Sequence, residues 1–135
     1  MKKAVIIPDS FKGTLRSEEI CEIVTEAIRT VFPDCETVSV PVADGGEGSV
    51  DCFLAALGGE RIVQTVTGPW FEPVKATYGL IDGGRTAIVE MASCAGLPLV
   101  EDRKDPEQTT TYGVGELILD AAKRGCSKII VGLGG

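Results

Sequence analysis

At 135 residues the chain has the length of one average domain, long enough to bury a sizeable core. Hydrophobic residues make up 44% and charged residues 24%, the balance of a globular protein, and with 5% aromatics the core falls to Val, Ile, Leu and Ala. Twenty acidic against thirteen basic residues give a formal net charge of −7 with no basic cluster, which argues against a nucleic-acid partner.

The first predicted element is the apolar, β-branched run Ala4–Pro8, read as a strand buried on both faces. A loop, Asp9-Ser-Phe-Lys-Gly13, follows. Ser17 is the expected N-cap of a helix whose Ile20, Ile23, Val24, Ala27, Ile28 and Val31 recur at helical spacing on one face, and Pro33 ends it. Thr37–Val42 is the second strand, so the opening stretch predicts a βαβ unit with a parallel pair. A second loop, Ala43–Gly48, opens a second helix with Val50, Phe53, Leu54 and Leu57 on its inner face and Gly58-Gly59 as its stop.

From Glu60 the pattern changes. Arg61–Thr67, Val74–Ile81 and Thr86–Met91 read as strands, with Asp82-Gly-Gly-Arg85 as a tight turn, so antiparallel hairpins are expected. A domain change is placed near Thr67-Gly68-Pro69, giving residues 1–67 to a first α/β domain and 68–135 to the start of a second, mixed one. A helix starts near Thr111 and uses Leu117, Ile118, Ala121 and Ala122 as its inner face. Ile129–Leu133 is the last strand. That strand runs into Gly134-Gly135, at the lip of a Gly-rich loop, and the pattern predicts that the chain is truncated there.

No run approaches the ~18 apolar residues of a membrane-spanning helix, and Ala4–Ile7 is too short for a secretory leader. Five scattered cysteines without a C-x-x-C pair predict free thiols in a reducing cytoplasm. With no histidine, acid–base chemistry falls to Asp, Glu, Lys or Tyr.

Chemistry is concentrated in the two loops that follow the first two strands. In parallel α/β sheets, ligands sit at the carboxyl ends of strands, beside helix N-termini. Asp9-Ser-Phe-Lys-Gly13 offers a carboxylate, a hydroxyl and a cation there. Asp44-Gly-Gly-Glu-Gly48 offers glycine amides for an anion, with Asp44 and Glu47 as metal ligands or proton acceptors. Each loop alone is equally a turn and a cap. Neither G-x-x-x-x-G-K-[ST] nor a helix-opening G-x-G-x-x-G is present, so spacing leads only to a small anionic ligand, with or without a metal. Glu90 and Thr109–Gly115 are weaker candidates, for which packing and capping are the favoured roles, and Cys94 is read as an inert thiol.

The segments Pro8-Asp-Ser-Phe-Lys-Gly13, Pro41-Val-Ala-Asp-Gly-Gly-Glu-Gly-Ser49, Val89-Glu-Met-Ala92, Ala95-Gly-Leu97, Thr110-Thr-Tyr-Gly113, Gly115-Glu-Leu-Ile118 and Ile129–Gly135 together resemble the bacterial-type glycerate kinase family, in family order and over the whole chain. The resemblance implies two α/β domains with a cleft between them, ATP and Mg²⁺ as cofactors, and phosphorylation of a glycerate hydroxyl, with the 2-position favoured. For such a reaction, residue type and loop position point to Asp44 as metal ligand or base, Asp9 as the alternative base and Glu47 as a second metal ligand. Lys12 then pairs with the glycerate carboxylate or a transferring phosphate. Ser10, Gly45, Gly46 and Gly48 join it in binding substrate, and Gly134 and Gly135 open a loop for the nucleotide. This stretch alone is expected to be inactive, because one wall of the cleft is missing. The competing expectation is a non-catalytic anion- or nucleotide-binding α/β domain.

Overall fold

A computed structural model describes residues 2–11 and 13–134. By its internal contacts the chain divides into two compact units, Met1–Ala43 and Asp44–Gly135.

In the first unit, β1 (Lys3–Ile6) and β2 (Glu36–Ser39) pair in parallel, with Val5 opposite Val38, and α1 (Ser17–Val31) makes the crossover. The βαβ expectation is met. Strand β1 is not buried on both faces, however: Ile6 is buried while Val5 and Ile7 are exposed, because a two-stranded sheet carrying one helix has one face left uncovered. Helix α1 also differs from expectation. Its buried positions are Ser17 and Cys21, whereas Ile23 and Val31 of the apolar stripe are exposed and line a shallow apolar groove with Val24, Ala27, Ile28 and Phe32. The expected N-cap, Ser17, is instead the first helical residue. Its buried hydroxyl donates to the Pro8 carbonyl at 2.7 Å and accepts from the Val42 N–H at 3.1 Å, tying together the segments that follow β1 and β2. Arg16 holds the cap position, and its N–H donates to the Glu19 carboxylate at 2.8 Å, half of a capping box.

The second unit is a four-stranded sheet in the order β3 (Glu60–Thr67), β4 (Pro73–Ile81), β5 (Thr86–Glu90), β6 (Lys128–Gly132). The first two pairs are antiparallel and β5–β6 is parallel. Thr67–Pro69, where a domain change was expected, is the turn of the β3–β4 hairpin, closed by Gly68 N–H to the Glu72 carbonyl at 2.6 Å. The contact division lies instead at Ala43–Asp44, and α2 (Ser49–Leu57) packs on β4 and β5.

Side chains alternate along the strands, so each face of the sheet gathers its own core. Val50 of α2 packs with Ile81 and Ile88 on one face, flanked by Phe53, Leu54 and Ile130. Leu57, expected on the inner face of α2, is exposed at the end of the helix. The other face holds Tyr78, Ala87 and Val89 against Cys94 of the short helix α3 (Ala92–Ala95) and against Val114, Leu117 and Ala121 of α4 (Tyr112–Lys123). Strand β5 is buried along its whole length, as a central strand between two helical layers should be. No helix among the described residues is long and apolar enough to cross a membrane.

The fully buried Tyr78 donates its phenol O–H to Asp120 of α4 at 2.6 Å, and Arg124 holds the same carboxylate oxygen at 2.8 Å. Burial and the neighbouring carboxylate both push the phenol pKa up, so it stays protonated and serves as a donor. Tyr78→Phe is therefore expected to lower unfolding stability by about 1.5–3 kcal/mol, the range for a hydrogen bond to a charged group. Urea melts of the two proteins measure this difference, and an unchanged midpoint would mean that the bond contributes nothing.

Candidate active site

The glycine-rich loop that precedes α2 sits at the carboxyl ends of β5 and β6, the place where parallel α/β sheets receive ligands. Its seating depends on backbone approaching backbone. The Gly134 N–H donates to the Gly45 carbonyl at 3.0 Å, and the Gly132 carbonyl accepts from Met91 N–H at 2.9 Å. A Cβ at Gly132 would run into the Gly45 carbonyl oxygen, and one at Gly134 would stand 2.8 Å from the Gly46 backbone. Only glycine fits between the loop and β6.

Within the loop, one oxygen of Asp44 (Oδ1) accepts the Gly46 N–H at 3.1 Å, and the buried Ser49 hydroxyl donates to the Gly46 carbonyl at 2.8 Å. Gly48 takes the cap position of α2 in the left-handed region, φ 87°. Asp44 and Glu47 both carry exposed side chains. Asp44 is therefore held by its own loop while staying open to a ligand.

The first turn of α2 meets a residue that sequence reasoning placed second. Glu90, at the end of β5 and only 8% exposed, accepts the Val50 N–H through Oε2 at 2.9 Å. Burial raises its pKa. The Val50 and Gly48 N–H groups act in the opposite direction, as does the charge of Arg61, while the charge of Glu47 adds to the rise. An acidic residue at a strand end was the available sequence signal; its partner, 40 residues away, was not.

The remaining predicted residues fall as follows. Asp44, Gly45, Gly46, Glu47, Gly48 and Gly134 are brought together in the second unit. Asp9 and Ser10 belong to the first unit, in the segment after β1, where the Ser10 N–H donates to the exposed Asp9 carboxylate at 2.7 Å. Lys12 and Gly135 lie outside the described residues. Among the weaker candidates, Thr111 takes the cap position of α4 without a side-chain cap bond, and the hydroxyl of Thr110 accepts the Tyr112 N–H at 3.1 Å. Cys94 is buried, and its thiol is pushed up to about 11 by burial and then by the charge of Glu116, so it is not an ionised nucleophile at neutral pH.

Among the described residues no three or more potential ligand side chains gather into a metal cage. What the loop offers is one or two open carboxylates with oxygen donors only. That set fits Mg²⁺, which keeps several waters and is held jointly by a few carboxylates and substrate phosphates.

Residues 4–135 match the sequence profile of the Glycerate kinase family. The chain is 47% identical over 134 residues to the Glycerate 2-kinase of Escherichia coli K12 and 46% identical to the Glycerate kinase of Bacillus subtilis 168. Each alignment covers 98% of this chain and 35% of the relative. A crystal structure of a protein assigned as glycerate kinase 2 from Salmonella typhimurium LT2 superposes with a TM-score of 0.76 at 41% identity, over 99% of this chain and 36% of that one. The chain thus spans about a third of the length of the proteins it matches, from its first strand to the glycines beyond β6, and it belongs to the glycerate kinase family.

Proposed function

We propose that this chain forms the N-terminal third of a cytoplasmic, ATP-dependent kinase that phosphorylates glycerate, with the 2-hydroxyl as acceptor. The observation that carries the reading is the seating of Asp44–Gly48 at the ends of β5 and β6 in a chain 47% identical to a relative named Glycerate 2-kinase. In the reaction the glycerate hydroxyl oxygen bonds to the γ-phosphorus of ATP, the bridging bond to the β-phosphate breaks, and ADP leaves. The hydroxyl proton passes to a carboxylate, either Asp44 or Asp9. Catalysis of this kind consists chiefly of positioning and charge neutralisation. Asp44 and Glu47 are the residues that would hold Mg²⁺, which would supply the neutralisation.

Lys12 brings a cation to the anionic substrate or to the transferring phosphate, joined by Ser10 and by the loop glycines Gly45, Gly46 and Gly48, whose missing side chains let the substrate approach the backbone. Gly134 and Gly135 lead into the nucleotide loop. The 135-residue stretch alone is inactive in this reading, in keeping with the exposed Ile23 and Val31 of α1 and the open face of its two-stranded sheet.

The test is an assay of the protein at the full length of its relatives, with ATP, Mg²⁺ and glycerate, and identification of the product by NMR. 2-Phosphoglycerate is expected. 3-Phosphoglycerate would overturn the position, and absence of turnover would overturn the activity. In the same assay Lys12→Ala is expected to lower kcat/KM at least ~100-fold with the fold retained, since a charge-assisted contact in a closed site strengthens as water leaves. Near-wild-type kinetics in that variant would remove Lys12 from the site.

A further inference from the structure

We propose that Glu90 is the positioning residue of the glycine-rich loop: its carboxylate occupies the start of α2 as a bound anion would, and so fixes Asp44 and the glycines for a ligand held elsewhere on the loop. The inference rests on the reading of Asp44–Gly48 as the reactive loop. It concerns a residue that need not touch the substrate.

The first N–H groups of a helix have no partner within the helix and attract negative charge. In α2 the Val50 N–H goes to Glu90, and the Ser49 N–H goes to the Gly46 carbonyl at 3.3 Å. A buried carboxylate is costly unless its bonds are met, and Glu90 draws on a backbone donor in the first turn of α2, with the nearby Gly48 N–H also favouring its charge. Glu90 also stands opposite Gly132 in the β5–β6 ladder, the residue whose missing side chain admits Gly45. One end of the sheet thus pins the loop at two points: by a hydrogen bond at its α2 end and by close backbone approach at Gly45–Gly46.

The experiment compares wild type, Glu90→Gln and Glu90→Asp in the family-length protein, by amide hydrogen exchange and by steady-state kinetics. Glu90→Gln replaces the charged carboxylate by a neutral amide with a single acceptor oxygen, which holds the first turn of α2 more weakly. It is expected to speed exchange of residues 45–50 at least ~10-fold while α4 and β3–β5 keep their rates, and to lower kcat at least ~10-fold with a smaller change in the KM for ATP. Glu90→Asp keeps both acceptor oxygens and is expected to recover part of the lost protection. Unchanged loop exchange in Glu90→Gln overturns the proposal, whether or not kcat falls. Should neither variant fold, the wild type decides: Gly48 and Val50 amides that exchange as slowly as the inner amides of α2 support it, and exchange at open-loop rates overturns it. If the wild type shows no glycerate turnover the kinase reading fails, and the exchange data still decide the role of Glu90.

Discussion

Gly132→Ala is expected to cost the second unit about 2–3 kcal/mol of stability, and the family-length protein at least ~100-fold in glycerate turnover. The added methyl meets the Gly45 carbonyl oxygen and carbon, which are backbone atoms and cannot rotate away as a side chain can. Gly45 is also tied to Gly134 by a 3.0 Å hydrogen bond, so moving the loop off β6 breaks that bond as well. Asp44 precedes Gly45 directly, and a displacement of about 1 Å at a reacting group is enough for a loss of this size. Gly115→Ala on α4 serves as the control. A Cβ there meets nothing, so a small gain of about 0.5–1 kcal/mol from helix propensity is expected. Urea melts and turnover of both variants make the measurement. A Gly132→Ala protein with wild-type stability and rate would show that the loop does not need its close seat.

Asp44→Asn is expected to remove activity, by roughly 100- to 1000-fold or more, the range for loss of one well-placed electrostatic group. The substitution separates charge from shape. Asn retains an oxygen that can accept the Gly46 N–H, the bond that shapes the loop at 3.1 Å, but it cannot offer a negative charge to a metal or take a proton from a hydroxyl. If Asp44 is a metal ligand, nucleotide affinity measured by calorimetry falls chiefly when Mg²⁺ is present. Equal affinities with and without Mg²⁺, alongside lost turnover, would assign Asp44 to proton transfer. Retained turnover would remove it from the site.

The sequence by itself determined which stretches fold and into what. Helical spacing from Ile20 to Val31, ended by Pro33, predicts the helix found over Ser17–Val31, because backbone periodicity is a local property. The β-branched runs on either side predict the parallel pair β1–β2, and Asp82-Gly-Gly-Arg85 predicts the turn between β4 and β5. The glycine-rich loop could be singled out for the same reason: its composition is written in consecutive residues.

Tertiary structure alone decided what these pieces pack against. The apolar positions Val50, Phe53 and Leu54 state that α2 buries a face, but not that the face meets Ile81 and Ile88. The boundary between the units therefore lies at Ala43–Asp44, and Thr67–Pro69 is a hairpin turn. The α1 stripe, read as one apolar face, is left half-buried at Ile20, Val24 and Ile28 and exposed at Ile23 and Val31, because a helix pattern does not specify what covers it. Glu90 is the sharpest case. Its residue type is visible in the chain, yet its role depends on the Val50 N–H, which comes within 3 Å only after β5 and α2 have packed. Contacts between residues far apart in sequence leave no periodic trace, and the precise seat of a reactive loop is made of such contacts.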